Sequence, residues 1–265
     1  NKYKIKKFYL NIFKKKYYFF SNEWNDKNQY SDIELYFYKI RFNWLFFDNN
    51  HISIKQKIDL INSFILHYNY IEVDSYSVGE RVSNWIMFLQ TNKKHLSLHN
   101  KNLFEQSIKK QIILLINNLE FHKEKTNNHL FSNAKAIFLY SIYFESYEFL
   151  TLCRELFNFL NQHIFYKSGF LNEGSSHYNL LISKHIIEIL YFNKLRKNNI
   201  LSKKNLNFFK KILSNIYIFC LTREIVNFGD STPDLPIKYL RSLPYISKKI
   251  FGINYPVLFK KSEFN

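Results

Sequence analysis

Proline and glycine are scarce in this chain of 265 residues, which contains only four prolines and five glycines. All four prolines lie between Pro233 and Pro256, so the first 232 residues contain none. The tight turns of β-hairpins depend on these two residue types, and their scarcity excludes a protein built from many hairpins. The sequence therefore predicts an all-α body followed by a C-terminal segment of a different kind.

Cysteine and long apolar runs are also lacking. The two cysteines, Cys153 and Cys220, lie in apolar, helix-like runs where buried, unreactive thiols are expected, which argues against a disulfide scaffold. No apolar run approaches the roughly 18 to 20 residues that a membrane span requires. The first 20 residues contain Lys14, Lys15 and Lys16 and no small-residue cleavage site, so they do not match a signal peptide.

Acidic residues are few relative to basic ones, since 21 Asp and Glu stand against 38 Lys and Arg and give a net charge of +17. Lysine supplies 32 of the cations and is spread along the chain with many Asn, Ile, Phe and Tyr residues, which share A/T-rich codons. A nucleic-acid binder gathers its basic residues on one face with aromatic residues for stacking, so nucleic acid is not the expected partner. The charge remains compatible with electrostatic attraction of another polyanion.

Helical periodicity recurs in eight segments of the sequence. These segments are Asp32–Phe47, Ser53–Tyr70, Ser77–Gln90, Asn102–His122, Asn128–Phe144, Tyr147–Phe165, Ser176–Phe192 and Lys204–Arg223. Alternate helices begin at intervals of about 48 residues, except for a longer last interval that ends at Asp230, and each start carries Ser, Asp, Asn or Thr as a candidate cap. This period predicts an incomplete (α/α) toroid of antiparallel helical hairpins.

The N-termini of alternate helices should lie at one end of such an array, because successive helices run antiparallel. The positive ends of helix dipoles and unpaired N–H groups attract anions, so this end is the expected functional rim. We expect three segments: a basic, aromatic N-terminal segment at 1–29, a toroid domain at 30–232, and a Pro-containing linker at 233–265.

Four residues on the predicted rim are candidates for chemistry: Arg81, Asn128, His129 and Tyr178. Each also has a structural explanation. Arg81 could pair with a carboxylate, Asn128 or its neighbour Asn127 could only cap a helix, and His129 could be a core histidine. Tyr178 is one of 20 tyrosines. Their convergence on one rim favours function, because independent structural roles would not require it.

Two of the five glycines, Gly169 and Gly174, bracket the loop before one candidate helix. Glycine permits sharp bends, so this loop is expected to place Ser175 or Ser176 as the helix cap and Tyr178 in the first turn.

Other site chemistries have little support in the sequence. It contains no HExxH, paired CxxC, Gly-rich phosphate loop or GxSxG motif, so neither a metal nor a cofactor is predicted. A glycosidase needs two carboxylates across a cleft. Glu173 and Asp230 are the pair that the rim offers, and hydrolysis stays a secondary hypothesis.

Four short motifs at these positions resemble a known family. They are Ser77–Ile86 (SVGERVSNWI), Asn118–His122 (NLEFH), Asn128–Ala136 (NHLFSNAKA) and Glu173–Tyr178 (EGSSHY). In this order they resemble the α/α-toroid domain of the heparinase II/III family of polysaccharide lyases, which includes alginate and heparan-sulfate lyases. The resemblance extends from about Glu34 to Asp230.

The resemblance implies β-elimination on a uronate-containing acidic polysaccharide, without a cofactor. Tyr178 matches the family's catalytic tyrosine, which removes a proton or returns one to the leaving oxygen. Asn128 and His129 match the position that neutralises the uronate carboxylate. The remaining rim residues are expected to bind substrate: Arg81, Glu173 and His177.

The resemblance also implies a C-terminal β-sandwich, which supplies a second catalytic His or Tyr and closes the cleft, and it suggests a periplasmic or cell-envelope location. No such domain precedes the last residue, Asn265, so we expect the toroid to depend on a missing β-sandwich. The alternative hypothesis is a catalytically incompetent, carbohydrate-binding toroid. A helical nucleic-acid or scaffold protein is disfavoured by the diffuse lysines.

Overall fold

The computed structural model describes residues 7–12, 15–27, 30, 32–47, 52–68, 74–121, 127–195, 200–221, 225–231 and 235–256. The chain divides into two compact units, unit 1 from Asn1 to Leu119 and unit 2 from Glu120 to Asn265. The predicted all-α class is confirmed, because helices make up most of both units and the described residues form a single two-stranded sheet.

Unit 1 begins with a β-hairpin and continues as helices. Strand β1 (Lys7–Ile12) pairs antiparallel with strand β2 (Lys15–Phe20). The helices are α1 (Ile33–Arg41), α2 (Trp44–Phe47), α3 (Ile54–His67), α4 (Ser75–Thr91) and α5 (Leu98–Asn117). A 3-10 turn at Lys93–His95 connects α4 to α5, and these two helices pack together as a helical hairpin, with α1 against α4 and α3 against α5.

An aromatic cluster forms the core of unit 1. The rings of Trp24 and Phe42 stack at 5.3 Å, and Phe42 meets Trp85 edge-on at 5.3 Å. All three side chains have no exposed surface. Phe19 of β2 contacts Trp24 at 5.4 Å, so the hairpin helps to cover the helical core.

The predicted single helix over Asp32–Phe47 is wrong. Helix α1 ends at Arg41, because Phe42 adopts a left-handed conformation with φ of 60°, and the chain restarts as α2 at Trp44. The Phe42 N–H bonds the carbonyl of Lys39 at 3.3 Å, and the Trp44 Nε1–H donates to the same oxygen at 3.0 Å. Burial of both rings stabilises this break, which no local glycine or proline signals.

Unit 2 contains the remaining helices: α6 (Asn128–Phe144), α7 (Tyr147–His163), α8 (Ser176–Leu195), α9 (Lys203–Asn215) and α10 (Ile237–Phe251), with a 3-10 turn at Ile216–Cys220. Helices α6 and α7 pack as a hairpin, and α8 contacts α6, α9 and α10. Because α8 is central, it is buried on most sides, whereas α9 and α7 keep one polar face in solvent. The rings of Phe131, Phe157 and Phe209 meet at 5.3 to 5.9 Å in the core.

Both cysteines are buried free thiols, as predicted. Burial raises the pKa of Cys220 to about 12 and raises the pKa of Cys153 still further. A thiol held in the protonated form is a poor nucleophile, so neither residue fits covalent chemistry.

Some observed helices begin at other residues than predicted, or lie where no helix was predicted. Helix α5 begins at Leu98, earlier than the predicted Asn102, because the Ser97 side chain accepts the Asn100 N–H at 3.2 Å. Segment 233–265, expected as a linker, contains helix α10 with Pro244 inside it. The predicted segments 1–29, 30–232 and 233–265 stay predictions as domain boundaries.

Candidate active site

Helix α6 begins at the first pair of candidate residues. Asn127 is the N-cap, since its Oδ1 accepts the backbone N–H of His129 at 3.0 Å. Asn128 is therefore the first helical residue, and only 5% of its surface is exposed. The capping role belongs to Asn127, so the side-chain amide of Asn128 is not required for it.

A hydrogen bond ties the start of α6 to the loop before α8. The Glu173 Oε1 accepts the backbone N–H of Asn128 at 2.8 Å, shortly before α8 begins at Ser176. Farther along, Nζ of Lys135 in α6 lies 3.2 Å from Oε2 of Glu188 in α8. The two packed helices therefore have their N-termini at the same end, as the spacing of alternate helix starts predicts.

His129 carries its ring on the same first turn. Its Nδ1 lies 2.7 Å from Oε2 of Glu120, and the side chain is 39% exposed. An ionised carboxylate only accepts hydrogen bonds, so Nδ1 carries the proton in this contact, and Nε2 can donate to a second carboxylate when the ring is protonated. Glu120 thus fixes both the tautomer and the orientation of His129.

Two glycines bend the loop that leads into α8, as predicted. Gly169 has a φ of 96° and Gly174 a φ of 68°, in the left-handed region that favours glycine. Beside Gly169, Phe165 and Leu171 form an antiparallel bridge, and the Leu171 N–H donates to Oδ1 of Asn179 at 2.9 Å. The loop is therefore fastened to the beginning of α8.

Ser175 caps α8. Its Oγ accepts the Tyr178 N–H at 3.1 Å and donates to the carbonyl oxygen of Asp230 at 2.5 Å. The neighbouring Ser176 exchanges backbone contacts with Phe228: its N–H donates to the Phe228 carbonyl at 3.1 Å, and its Oγ accepts the Phe228 N–H at 3.1 Å. A chain segment remote in sequence thus fixes the turn that carries Tyr178.

Gly229 permits the close approach of these two segments. Its φ is 70°, and a Cβ at this position would lie 2.5 Å from the carbonyl oxygen of Gly174 and 3.0 Å from Cα of Ser175. Only a residue without a side chain fits here.

Tyr178 and His177 follow the cap. The Tyr178 side chain is half-buried, whereas His177 is only 7% exposed. Their ring centroids lie 5.8 Å apart at an interplanar angle of 69°. This edge-to-face contact restrains the phenol ring while part of the tyrosine stays open to solvent.

The Glu173 carboxyl has a raised pKa. Desolvation is the main cause, the hydrogen bond from Asn128 and the charge of His129 act in the opposite direction, and the charge of Asp230 raises the pKa again. Glu173 exposes part of its surface, but protein atoms surround its carboxyl group closely enough to favour the protonated form. Glu173 and the three residues that act on its pKa therefore form one electrostatic group near the starts of α6 and α8: Asn128, His129 and Asp230.

Compared by sequence, the chain matches no protein-family model and no curated protein. Its structure is similar to that of heparinase III, with a TM-score of 0.59 and 14% identity over 86% of this chain and 39% of that chain. It is also similar to the heparinase III-BT4657 gene product, with a TM-score of 0.57 and 15% identity over 87% of this chain and 41% of that chain.

The chain has a heparinase III-like fold. It spans about two fifths of the length of these heparinase III chains. The likeness is one of fold, because 14 to 15% identity leaves the site residues to be argued from this chain alone.

Within the heparinase III-like fold, the site candidates divide between the two units. Unit 2 brings together Asn128, His129, Glu173, His177 and Tyr178 through the contacts above. The sixth candidate, Arg81, lies in unit 1.

Arg81 is buried on α4, with 1% of its surface exposed. Its Nε donates to Oε1 of Gln111 at 2.6 Å and its Nη1 to the carbonyl of Ile40 at 3.1 Å. The guanidinium also lies 4.7 Å from the ring centre of Phe64 and 5.3 Å from that of Tyr68. These contacts stabilise unit 1, and substrate binding by Arg81 stays a prediction.

Sequence reasoning assigned no role to three features of the site. Glu120 occurs in the NLEFH motif, where its position nine residues before His129 gave no sign of their contact. The backbone of Phe228 and of Asp230 completes the α8 cap, and backbone groups leave no mark in a sequence. Gly229 was the available signal, because an isolated glycine often marks a close approach of two backbones.

In the part of the chain that the structure describes, no group of three or more His, Cys, Asp or Glu side chains could hold a metal ion. Among the same residues, no helix is both long enough and apolar enough to cross a membrane.

Proposed function

We propose that this chain is the toroid domain of a polysaccharide lyase that performs β-elimination on a uronate-containing acidic polysaccharide. The observation that carries the proposal is the 2.8 Å hydrogen bond between Glu173 and the N–H of Asn128. It joins the helix start that bears Asn128 and His129 to the loop that presents Tyr178. The heparinase III-like fold supports the same class of substrate.

Carboxylate neutralisation is the first requirement of this chemistry. The proton on the carbon beside a uronate carboxylate is weakly acidic, and it leaves only when the carboxylate can accept the developing negative charge. We assign this task to the Asn128 amide and to His129, whose Nδ1 is held by Glu120. The positive end of the α6 dipole favours the same anion.

Proton transfer is assigned to Tyr178. As the base it takes the proton from that carbon, the electron pair forms the new C=C bond, and the bond to the leaving glycosidic oxygen breaks. The leaving oxygen then receives a proton, which Tyr178 can return. A phenol of ordinary pKa, about 10, is a weak base at neutral pH, so neighbouring positive charge must favour the phenolate. His177, whose ring contacts Tyr178, can supply this positive charge when it is protonated.

Substrate binding is assigned to Glu173 and His177 beside the reacting groups. One carboxyl oxygen of Glu173 accepts the Asn128 N–H, and its second oxygen can accept a hydrogen bond from a sugar hydroxyl. A β-sandwich domain that completes the cleft remains part of the proposal, as the family resemblance implies.

The test is an elimination assay on alginate, heparan sulfate and other uronate polymers, read by the ultraviolet absorbance of the new C=C bond. Tyr178→Phe should abolish product formation while leaving the circular dichroism spectrum unchanged. Tyr191→Phe, on an exposed position of the same helix, is the matched control and should keep full activity.

Undiminished elimination by Tyr178→Phe would reject the assignment of this residue. New reducing ends without ultraviolet absorbance would indicate hydrolysis and would turn attention to Glu173 and Asp230. If the 265-residue chain is inactive, the same assay with the chain and a β-sandwich partner domain tests the second part of the proposal.

A further inference from the structure

The N-terminal hairpin has one buried face and one exposed face. Cross-strand neighbours Phe8 and Phe19 point into unit 1, where they are 7% and 2% exposed. The opposite face alternates with them along both strands. It consists of Lys7, Tyr9, Lys16, Tyr18 and Phe20, which we call the hairpin face.

The side chains of the hairpin face are arranged as a ladder. Tyr9 and Tyr18 are directly opposed in the register, with ring centroids 5.7 Å apart and planes tilted by 50°. Lys7 Nζ lies 4.7 Å from the ring centre of Tyr18, and Lys16 Nζ lies 4.9 Å from that of Tyr9. Both lysines are exposed, and Tyr18 is 51% exposed. The rings thus hold two ammonium groups in place at the surface.

This face belongs to a segment of the chain that carries charge of one sign only. The first 22 residues contain seven lysines and neither Asp nor Glu. A polyanion is therefore attracted to this segment, and the exposed ammonium groups of Lys7 and Lys16 lie on the hairpin face itself. We propose that the hairpin face is a second binding surface for an acidic polysaccharide, outside the group of residues assigned to elimination.

The ring geometry favours a polysaccharide over a nucleic acid. Single-stranded nucleic acids bind by stacking bases on open aromatic faces beside a basic groove. On the hairpin face the ammonium groups lie over the tyrosine rings, which restricts access to the ring faces, and the rings are tilted against each other. What remains for a ligand is a row of ammonium groups, phenol hydroxyls and ring edges, which matches a chain of hydroxyls and spaced carboxylates or sulfates. The choice of polyanion rests on the proposed function.

The test measures binding of the full chain to fluorescein-labelled alginate and heparan sulfate by fluorescence anisotropy. The double variant Lys7→Gln/Lys16→Gln should bind about tenfold more weakly, since two exposed ion pairs contribute up to about 1 kcal/mol each and 1.4 kcal/mol is tenfold. Lys93→Gln/Lys94→Gln removes the same charge from an exposed turn of unit 1 and should lower affinity by about twofold at most.

Equal losses in the two double variants would overturn the inference, as would absence of binding to both polysaccharides at low salt. Tighter binding of single-stranded DNA with the same dependence on Lys7 and Lys16 would replace it with a nucleic-acid surface. If the parent chain, with a β-sandwich partner domain, shows no elimination while the difference between the double variants persists, only the proposed function is rejected. If elimination persists and the two double variants lose affinity equally, only this inference is rejected.

Discussion

Lys39 offers a quantitative test of how unit 1 is held together. Its ammonium group has no exposed surface, donates to the carbonyl oxygen of Glu23 at 2.7 Å, and lies 4.9 Å from the ring centre of Tyr30 and 5.3 Å from that of Tyr36. Burial lowers the pKa of Lys39 from 10.5 to about 8, although the negative charges of Asp26 and Glu23 act to raise it. The folded chain therefore releases this proton more readily than the unfolded chain.

The sign and size of the effect follow from that difference. Between pH 8 and pH 10.5 the unfolded state binds more protons at this position than the folded state, so the free energy of unfolding rises with pH across the interval. Each pKa unit corresponds to 1.36 kcal/mol, which gives a total contribution of about 3 kcal/mol. Below pH 8 the cost of the buried charge is constant.

Lys39→Met removes the titrating group at similar volume. The stability of the parent chain relative to this variant should increase by about 3 kcal/mol as the pH rises through the interval. Urea unfolding monitored by tryptophan fluorescence is the assay, because all three tryptophans lie buried in unit 1. Lys55 is an exposed lysine of α3, and Lys55→Met is the control. Its unfolding free energy should change with pH as that of the parent chain does. Parallel curves for the parent and Lys39→Met would refute the reasoning.

Four other changes test the contacts that build each unit. Gly252→Ala, at a φ of 67° with no atom within 4 Å of the new Cβ, should cost about 1 to 2 kcal/mol. Gly229→Ala should lower the melting temperature further, because its Cβ also meets a carbonyl oxygen at 2.5 Å, and equal melting temperatures would contradict this. Because its pKa is raised in the folded state, the Glu173 carboxyl stabilises the fold while it is protonated, and this contribution is lost as the pH rises above 4.5. Glu173→Gln should remove that pH-dependent loss of unfolding free energy in urea titrations. An equal loss in the parent and the variant would count against the raised pKa. Arg81→Met loses two buried hydrogen bonds and should destabilise unit 1 by about 3 kcal/mol in the fluorescence assay, whereas unchanged stability would remove its structural role.

Helix α6 shows where sequence reasoning succeeds. Its predicted range, Asn128–Phe144, is the observed one, because the signals are local: Asn127 supplies the cap and Glu145 ends the helix in a left-handed conformation. The start of α8 at Ser176 follows in the same way from Ser175 and Gly174.

The break at Phe42 shows where such reasoning fails. A phenylalanine with positive φ is unfavourable by itself, and only packing against Trp24, Trp44 and Trp85 explains it. The sequence records these rings but not their contact. Pro244 misled in the opposite direction, since proline ordinarily ends helices and here it is buried within α10.

The hairpin could have been found in part. Apolar and polar residues alternate in Lys7–Ile12, with Phe8 and Leu10 on one side, which is the pattern of a half-buried strand. Without an Asn-Gly or Asp-Gly pair after it, the turn signal was missing. The site candidates of unit 2 came from the helix starts, whereas Glu120 required the folded chain.

The cap of α8 has a consequence for how the protein is made. Ser175 and Asp230 are 55 residues apart, so the bond that completes the first turn of α8 closes a long loop. At about 5 to 20 residues per second, a ribosome needs about 3 to 11 s to add those 55 residues. During that time the central part of α8 can already form, while the turn that carries Tyr178 still waits for its partner segment. Within α8, the N-terminal turn with Tyr178 is therefore expected to become ordered after the rest of the helix.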